Sequence, residues 1–386
     1  MVAAAASVPA EPSGDRDTIA VYEQRAAEWM SRRHPRDLDR ARALGRRIAE
    51  ARGDEPGAGP VLDLGCGPGW YGPALGPDVV ALDAARSMLD LVAGEAPRSW
   101  PVQADLARLP FARGAASGAW ARNSYVHLAR SALPLALADL HRVLRLGAPI
   151  HLGLFVGDTE LDVDADDTFA GRRFSAWSPD HLADVVTGAG FTIDEVDAPE
   201  PHRSGSQISV TATRARTLPD TVGPGMRLLV CGLNPSVLSA DLGVGFARNG
   251  NRYWPAALAA GIVSVARDAR HALVHHGIGM TDLVKRATPR ADELTAAEYR
   301  SGLERVARLC AWLRPGAVCF VGLAGWRAAA DRKAVAGVQP ETLGGTPVYV
   351  MPSTSGLNAR TPPSELADHL RAAAALADRS PSRRSL

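Results

Sequence analysis

The sequence predicts an α/β protein of two domains, each a mainly parallel sheet between helical layers. Three observations carry this reading. At 386 residues the chain exceeds one ordinary domain. Short, continuous apolar runs alternate with helical segments in both halves, the pattern of parallel strands covered on both faces. Between the halves, residues 215–225 hold Pro219, Gly223, Pro224 and Gly225 without apolar periodicity, which is the composition of a linker.

Bulk properties narrow the class. The hydrophobic content of 46% suffices for packed cores. No uninterrupted apolar stretch reaches the ~18 residues of a membrane span. Met1–Gly14 is rich in Ala, Pro and Ser and lacks a basic start, so residues 1–16 read as a disordered leader, not a signal peptide. Cys66, Cys231, Cys310 and Cys319 show neither CxxC nor metal-ligand spacing. They read as reduced thiols of a cytoplasmic protein, and no metal is expected. The net charge of +1 hides a split: residues 1–220 carry 23 Arg against 30 Asp and Glu, and residues 221–386 carry 20 Lys and Arg against 12 Asp and Glu. A basic second half suits a polyanionic partner such as nucleic acid. An Arg-rich background composition is the plainer alternative, since Lys285 and Lys333 are the only lysines.

In the first half, Asp17–Arg52 has Ile19, Tyr22, Ala26 and Trp29 near helical spacing. Such a segment packs as a helix and could cover a ligand mouth. Val61–Leu64 is a buried strand, and Gly65–Cys66–Gly67–Pro68–Gly69 is a turn whose glycines permit positive φ and close approach of a ligand. Val79–Leu82 is the next strand, ending in Asp83, an acidic residue placed to accept from ribose hydroxyls. The spacing is GxGxG with Asp63 inside the strand, unlike the GxGxxG of nicotinamide enzymes.

Asp63–Gly69 resembles motif I of class I S-adenosylmethionine-dependent methyltransferases, and the resemblance runs over about residues 17–214. Ala104–Asp105 matches the acidic residue that contacts adenine in that family. Arg122–Leu128, with Asn123, matches the segment beside the reactive methyl. Leu144–Pro149 precedes the fifth strand, Ile150–Phe155, and strands at Thr192–Val196 and Ile208–Thr213 complete the family's pattern. The resemblance implies a Rossmann-like methyltransferase fold binding S-adenosylmethionine through Asp63, Gly65, Gly67, Gly69, Asp83, Asp105 and Asn123. His127 is a candidate general base for the acceptor, or a structural or gating residue. The acceptor is not legible. Asn123–Ser124–Tyr125 lacks the Pro-Pro signature of enzymes that methylate exocyclic amines in DNA, and the acidic loop Asp158–Asp167 reads either as a selector of cationic acceptors or as a solvated loop.

The second half opens on the strand Arg227–Cys231, which delivers Gly232–Leu233–Asn234–Pro235–Ser236 at its carboxyl end, where open α/β sheets bind ligands. Trp254–Ala260 is helical. Thr295 and Glu298 form a capping box opening a helix to about Leu313. Ala317–Gly322 is a central strand, Gly325–Ala334 a helix, Val348–Met351 a strand and Ser364–Arg379 the last helix; residues 380–386 read as a disordered basic tail.

Over about residues 225–378 this half resembles the mismatch-specific uracil/thymine-DNA glycosylases of the uracil-DNA glycosylase superfamily. Four stretches carry the resemblance in order: Gly232–Ser236, Phe246–Trp254, Gly279–Val284 and Met351–Arg360. It implies a three-layer α/β/α glycosylase-like fold over residues 226–379. It also implies DNA as partner, a role in base excision repair and no cofactor for this half. By resemblance Asn234 positions the water that attacks C1′, Phe246 stacks on the extruded base, and Leu357 fills the hole between Gly356 and Arg360. Leu233, Ser236, Asn251 and Ser353 join the base-binding set. Three positions depart from the family pattern: Ser236 replaces Gly, Met351 replaces Asn, and one extra residue separates Leu357 from Arg360. The leading expectation is a fusion of a methyltransferase, residues 17–214, with a glycosylase. The alternatives are a methyltransferase whose basic half binds nucleic acid without excising a base, and a small-molecule methyltransferase with a vestigial partner.

Overall fold

The computed structural model describes residues 13–53, 57, 59–163, 167–199 and 206–380. The described residues form two compact units that divide between Ala215 and Arg216.

The first unit opens with helix α1 (Arg16–Arg32), capped by Asp15, whose carboxylate accepts from Thr18 N at 3.0 Å. The residues just before α1 are thus ordered by a cap, against the leader read for residues 1–16, of which residues 1–12 lie outside the described residues. The single helical stretch read over Asp17–Arg52 is two helices, α1 and α2 (Leu38–Arg52). Pro35 explains the break, because a proline excludes helical backbone at the residue before it. The strands are β1 (Val61–Leu64), β2 (Val79–Asp83), β3 (Trp100–Gln103), β4 (Gly118–Arg122), β5 (Pro149–Val156), β6 (Phe191–Asp197) and β7 (Gln207–Arg214). Helices α3 (Arg86–Glu95), α4 (Leu133–Val143) and α5 (Pro179–Gly188) lie between them in sequence. The sheet order is β3-β2-β1-β4-β5-β7-β6, with the two-residue strand Ala176–Trp177 also paired to β5. β1 to β5 run parallel, and β7 is antiparallel to both β5 and β6. Strands β1, β2 and β4 are buried almost throughout, which is why they read as unbroken apolar runs. This is a Rossmann-like arrangement whose order reverses beside β1, so the mouth of the sheet opens after β1, β2 and β4.

The second unit has strands β8 (Leu228–Gly232), β9 (Ile278–Asp282), β10 (Ala317–Val321), β11 (Gly337–Leu343) and β12 (Thr346–Met351) in the order β9-β8-β10-β12-β11. Only β11 is antiparallel. Its helices are α6 (Val237–Leu242), α7 (Tyr253–Ala259), α8 (Ala269–His276), α9 (Ala296–Leu313), α10 (Leu323–Ala329) and α11 (Pro363–Arg379). Tyr253, Trp254, Ala272, Leu366 and Leu370 bury one face of the sheet with Leu228, Val230, Cys319 and Met351. Phe320 faces the other side and meets Trp326 of α10 at 4.9 Å between rings. The capping box at Thr295 and Glu298 forms as read, each side chain bonding the other's backbone N–H. β11 escaped the sequence because Gln339, Pro340 and Glu341 interrupt any apolar run, as suits an edge strand carrying Pro.

The linker read over residues 215–225 is instead integral to the second unit. Thr217, Asp220 and Val222 are buried, and Thr221 exchanges backbone hydrogen bonds with Met280 of β9. Pro and Gly there shape an ordered crossing in which Thr217 Oγ1 donates to Lys285 O and the Asp220 carboxylate accepts from Lys285, Thr281 and Arg305. Of the tail read over residues 380–386, Ser380 is buried against the end of α11 and the remainder lies outside the described residues.

Candidate functional sites

In the first unit the carboxyl ends of β1, β2 and β4 open into a cavity of about 1410 Å³. The turn after β1 lies along it. Gly65, Gly67 and Gly69 have φ of 66°, 53° and 87°, a region that L side chains rarely adopt. A Cβ on Gly65 would strike Ser124 at 2.3 Å, whereas one on Gly67 would meet nothing nearer than Trp29 at 3.9 Å. The first glycine is therefore required by packing and the second borders open space. Asp83 fixes the turn by accepting from Gly67 N (2.9 Å) and Ala85 N (2.9 Å). Asp63 is 1% exposed and its Oδ2 has no hydrogen-bond partner. Burial, reinforced by the Asp83 charge, pushes its carboxyl to about 8. Asn123, at φ 56°, likewise holds a buried Oδ1 without a partner. Asp105 accepts from Gly14 N (2.7 Å) and Ala107 N (2.8 Å). Gly65, Gly67, Asp83, Asp105 and Asn123 thus converge on the cavity, whereas Asp63 is buried in β1 and does not line it, and Gly69 sits behind the turn, facing Val92 and Ala96. Two orphaned acceptors beside an open backbone fit an S-adenosylmethionine molecule, which brings cationic donors and ribose hydroxyls.

His127 does not present a free base. Its Nδ1 lies 2.7 Å from Arg173 O, so that nitrogen carries the proton, and its Nε2 accepts from Tyr22 OH at 3.0 Å. Tyr22 in turn accepts from Arg172 Nη1 at 2.7 Å, and Arg172 is paired with Asp167. Burial pushes the imidazole down to about 4, and the Arg172 charge adds to that. The gating or structural reading of His127 is the one this geometry favours, because the hydrogen bonds tie α1 across the cavity. Of the acidic loop, Asp158 pairs with Arg130 and Asp167 with Arg172, while residues 164–166 lie outside the described residues. These two carboxylates are therefore already neutralised by arginines, not waiting for a cationic acceptor.

In the second unit Asn234 follows β8, partly exposed, at the carboxyl end of the sheet. Its Nδ2 lies 3.0 Å from Arg286 O and 2.8 Å from Thr288 Oγ1. A carbonyl can only accept, so the amide is locked with its nitrogen toward this loop. Thr288 is committed by donating to Arg290 O at 2.7 Å. No described residue donates to Asn234 Oδ1, which is left as an acceptor. Phe246 has φ 57° and stacks on Tyr253 with ring centroids 4.2 Å apart. Its Cζ is 3.6 Å from where a Cβ on Gly232 would stand. Leu357 is 90% exposed at the tip of the loop after β12, beside Gly356 and the exposed Arg360. Ser353 lies near Gly322 at the start of that loop.

Two predicted base-binding residues turn out to have architectural work. Ser236 Oγ caps α6 by accepting from Ser239 N at 3.1 Å. Asn251 Oδ1 accepts from Tyr253 N at 2.9 Å, at the start of α7. Leu233 packs toward Gly325 of α10, where an added Cβ would meet its Cδ1 at 2.7 Å.

Several residues escaped the sequence reading. Arg252 sits inside a quoted motif, but its role needs partners about 100 positions away: Nη1 donates to Thr361 O (2.6 Å), and Nη2 to Ser355 O (3.2 Å) and Asn358 O. Asp220 accepts from Lys285 Nζ (2.8 Å), Thr281 Oγ1 (2.6 Å) and Arg305 Nη1 (2.6 Å), an assembly with no local signal. Asp282 had a signal, being the one charged residue of Gly279–Val284. Tyr22 and Arg172 belong together only in three dimensions.

Comparison with known proteins agrees with this division. Residues 61–147 match a family model described as a methyltransferase domain, and residues 219–376 match that of the uracil DNA glycosylase superfamily. Similar solved structures include the 1,6-didemethyltoxoflavin-N1-methyltransferase of Burkholderia thailandensis, with bound 1,6-didemethyltoxoflavin and S-adenosylhomocysteine. It is 20% identical, over 55% of this chain and 93% of that one, at a TM-score of 0.37. Another is an S-adenosylmethionine-dependent methyltransferase of Mesorhizobium loti, 18% identical over 46% of this chain and 100% of that one, at a TM-score of 0.34.

Proposed function

We propose that this chain, a methyltransferase domain followed by a uracil-DNA glycosylase superfamily domain, joins two enzymes. The first transfers a methyl group from S-adenosylmethionine to an acceptor not yet identified. The second is a monofunctional glycosylase that releases uracil or a modified pyrimidine from mismatched duplex DNA. The observation that carries the second assignment is the locked amide of Asn234, with Oδ1 left to accept.

An amide is not an effective proton acceptor, so Asn234 orients a water through Oδ1 without deprotonating it. The glycosidic bond then breaks mainly by departure of the base, and turnover is slow and selective for good leaving groups. Phe246, backed by Tyr253, offers a face for the extruded base, which contributes roughly 1–3 kcal/mol. Extrusion costs a few kcal/mol, least at a mismatch. Because the two terms are comparable, weakly paired bases such as uracil opposite guanine are favoured. The exposed Leu357 enters the vacated stack.

In the first half, Asp63, Asp83, Asp105 and Asn123 hold the cofactor, which supplies an electrophilic methyl group. Asp83 has accepting capacity beyond its two backbone bonds, and Asp63 offers its orphaned oxygen to a cation. The chain's contribution to transfer is alignment, which can account for several kcal/mol. His127, capped by Tyr22, holds α1 in place. The four buried, unpaired thiols support a cytoplasmic setting.

A duplex with one U·G mismatch, incubated with the chain and then treated with alkali, tests the glycosylase. Strand cleavage is expected, with a loss of at least about 100-fold in Asn234→Ala. Undiminished uracil release by that variant overturns the assignment. A mobility shift without cleavage points instead to a nucleic-acid-binding half.

A further inference from the structure

The cavity of the first unit, at about 1410 Å³, exceeds the roughly 300–1,000 Å³ that suits one small ligand. The cofactor residues Gly65, Gly67, Asp83 and Asp105 line its half beyond β1, β2 and β3. The other half lies beyond β4, β5 and β7, and its walls are of two kinds. One is aromatic: Phe155 of β5 meets Phe174 with ring centroids 5.7 Å apart, and His127 closes the corner 4.9 Å from Phe174. The other is polar and basic. Arg122, Gly153 and Ser209 are cross-strand partners, and Phe155 and Gln207 stand one pleat further along the same face. A Cβ on Gly153 would come within 3.2 Å of Arg122 Cγ, so the glycine lets this arginine lie across the sheet. The Arg122 side chain is 12% exposed, and its Nε donates to Asp37 Oδ2 at 2.7 Å. Its Nη1 and Nη2 donate to no described residue. A guanidinium so nearly buried, with two donor nitrogens unused, is costly unless an acceptor arrives. The basic wall is not balanced: Arg40 is paired with Asp197 and Arg122 with Asp37, while the Arg36 side chain pairs with no described residue. Asp162, in register with Phe174, accepts from Val163 N at 2.8 Å.

We propose that this half of the cavity takes a methyl acceptor that is a small aromatic acid, its ring against Phe155 and Phe174 and its anionic group on Arg122 and Arg36. This rests on the methyltransferase reading above and names the class of acceptor that reading left open. The two free nitrogens of Arg122 form a planar fork, which matches the two oxygens of a carboxylate. The rings offer an edge and a face to a planar body. A cationic acceptor would meet the unpaired arginine side first and be disfavoured there, and a neutral one would leave the fork of Arg122 covered and unpaired.

The test titrates the full chain, saturated with S-adenosylhomocysteine, with 1-naphthoate, 1-naphthamide and 1-naphthylmethylamine, three probes of similar shape and different charge. Affinity is read by calorimetry. The naphthoate is expected to bind about tenfold or more tighter than the amide, and the double variant Arg36→Gln, Arg122→Gln to bring the two within about twofold. Phe174→Leu should weaken both probes by a similar factor. Arg36→Gln alone, at an exposed position, should lower the ratio by about threefold, and it keeps the test decisive if the double variant does not fold. Equal affinities in the wild type, binding of neither probe, tighter binding of the amine, or an unchanged ratio in the variants overturns the proposal. Failure of S-adenosylhomocysteine to bind rejects the methyltransferase reading, while the naphthoate preference of the ligand-free chain still decides the role of Arg122 and Arg36.

Discussion

Asp63 and Asn234 are alike in one respect: each is a strand-end polar residue whose neighbours leave one oxygen without a donor. The sequence showed both, because each sits in a short motif at the end of an apolar run. What it could not show is the protonation state that burial imposes. The carboxyl of Asp63 is raised to about 8 by burial and by Asp83, so the ligand-free protein holds a proton there at neutral pH. The sign follows from linkage. A folded-state value above the ordinary carboxylate value makes the fold most stable at low pH, and that stability declines as pH rises from about 4 to about 8. A cation placed beside Asp63 reverses the shift and expels the proton. Binding of S-adenosylhomocysteine at pH 7 should therefore release about one proton per ligand. Titration calorimetry in phosphate and in Tris reads this as a buffer-dependent heat. Identical heats in the two buffers reject the placement of the ligand's cation at Asp63, and Asp63→Asn should remove the difference.

At the scale of elements, the regular pieces were legible wherever local chemistry sufficed: β1, β2, β10 and the capping box of α9. Elements defined by a distant partner were not, as with β11. The loop that carries Leu357 is the functional example. Its bonds are to Arg252, which donates to the backbone oxygens of Ser355, Asn358 and Thr361, while Thr354 O accepts from Arg252 N at 2.9 Å. A Cβ on Gly356 would come within 3.0 Å of Gly250 O, so the two loops touch through their backbones. Arg252 thus fastens the loop tipped by Leu357 to the segment that runs from Phe246 into α7. Arg252→Ala should speed amide hydrogen exchange across residues 353–361. It should also weaken binding to a mismatched duplex by about tenfold, since several hydrogen bonds of about 1 kcal/mol each are lost. Arg252→Lys should recover little, because an ammonium group cannot reach three carbonyls as a planar fork does. Unchanged exchange in Arg252→Ala would show that the loop is held by other means.

For the whole molecule, the division into two units was legible from length, composition and the two motif sets, but its boundary was not. Pro and Gly in residues 215–225 signal irregular backbone, and irregular backbone reads as a linker unless its side chains are known to be buried. Here Asp220 is 3% exposed and Arg305 7%, and the pair is completed by Lys285 and Thr281. Burial alone would raise the Asp220 carboxyl, yet Arg305 and Lys285 hold it below its ordinary value. The same network touches the candidate site. Arg305 donates to the backbone oxygen of Asp282 at 2.9 Å, and Lys285 precedes the Arg286–Thr288 stretch that locks Asn234. A fragment starting at Arg216 therefore retains what the second unit needs, and one starting at Met226 takes the Asp220 carboxylate away from the buried Arg305 and the half-buried Lys285. Removing one partner of such a group costs about 3–5 kcal/mol. The shorter fragment should melt lower by roughly 10 °C and release uracil more slowly, and Asp220→Asn in the longer fragment should reproduce most of the loss. Equal melting temperatures for the two fragments would return residues 216–225 to the status of a linker.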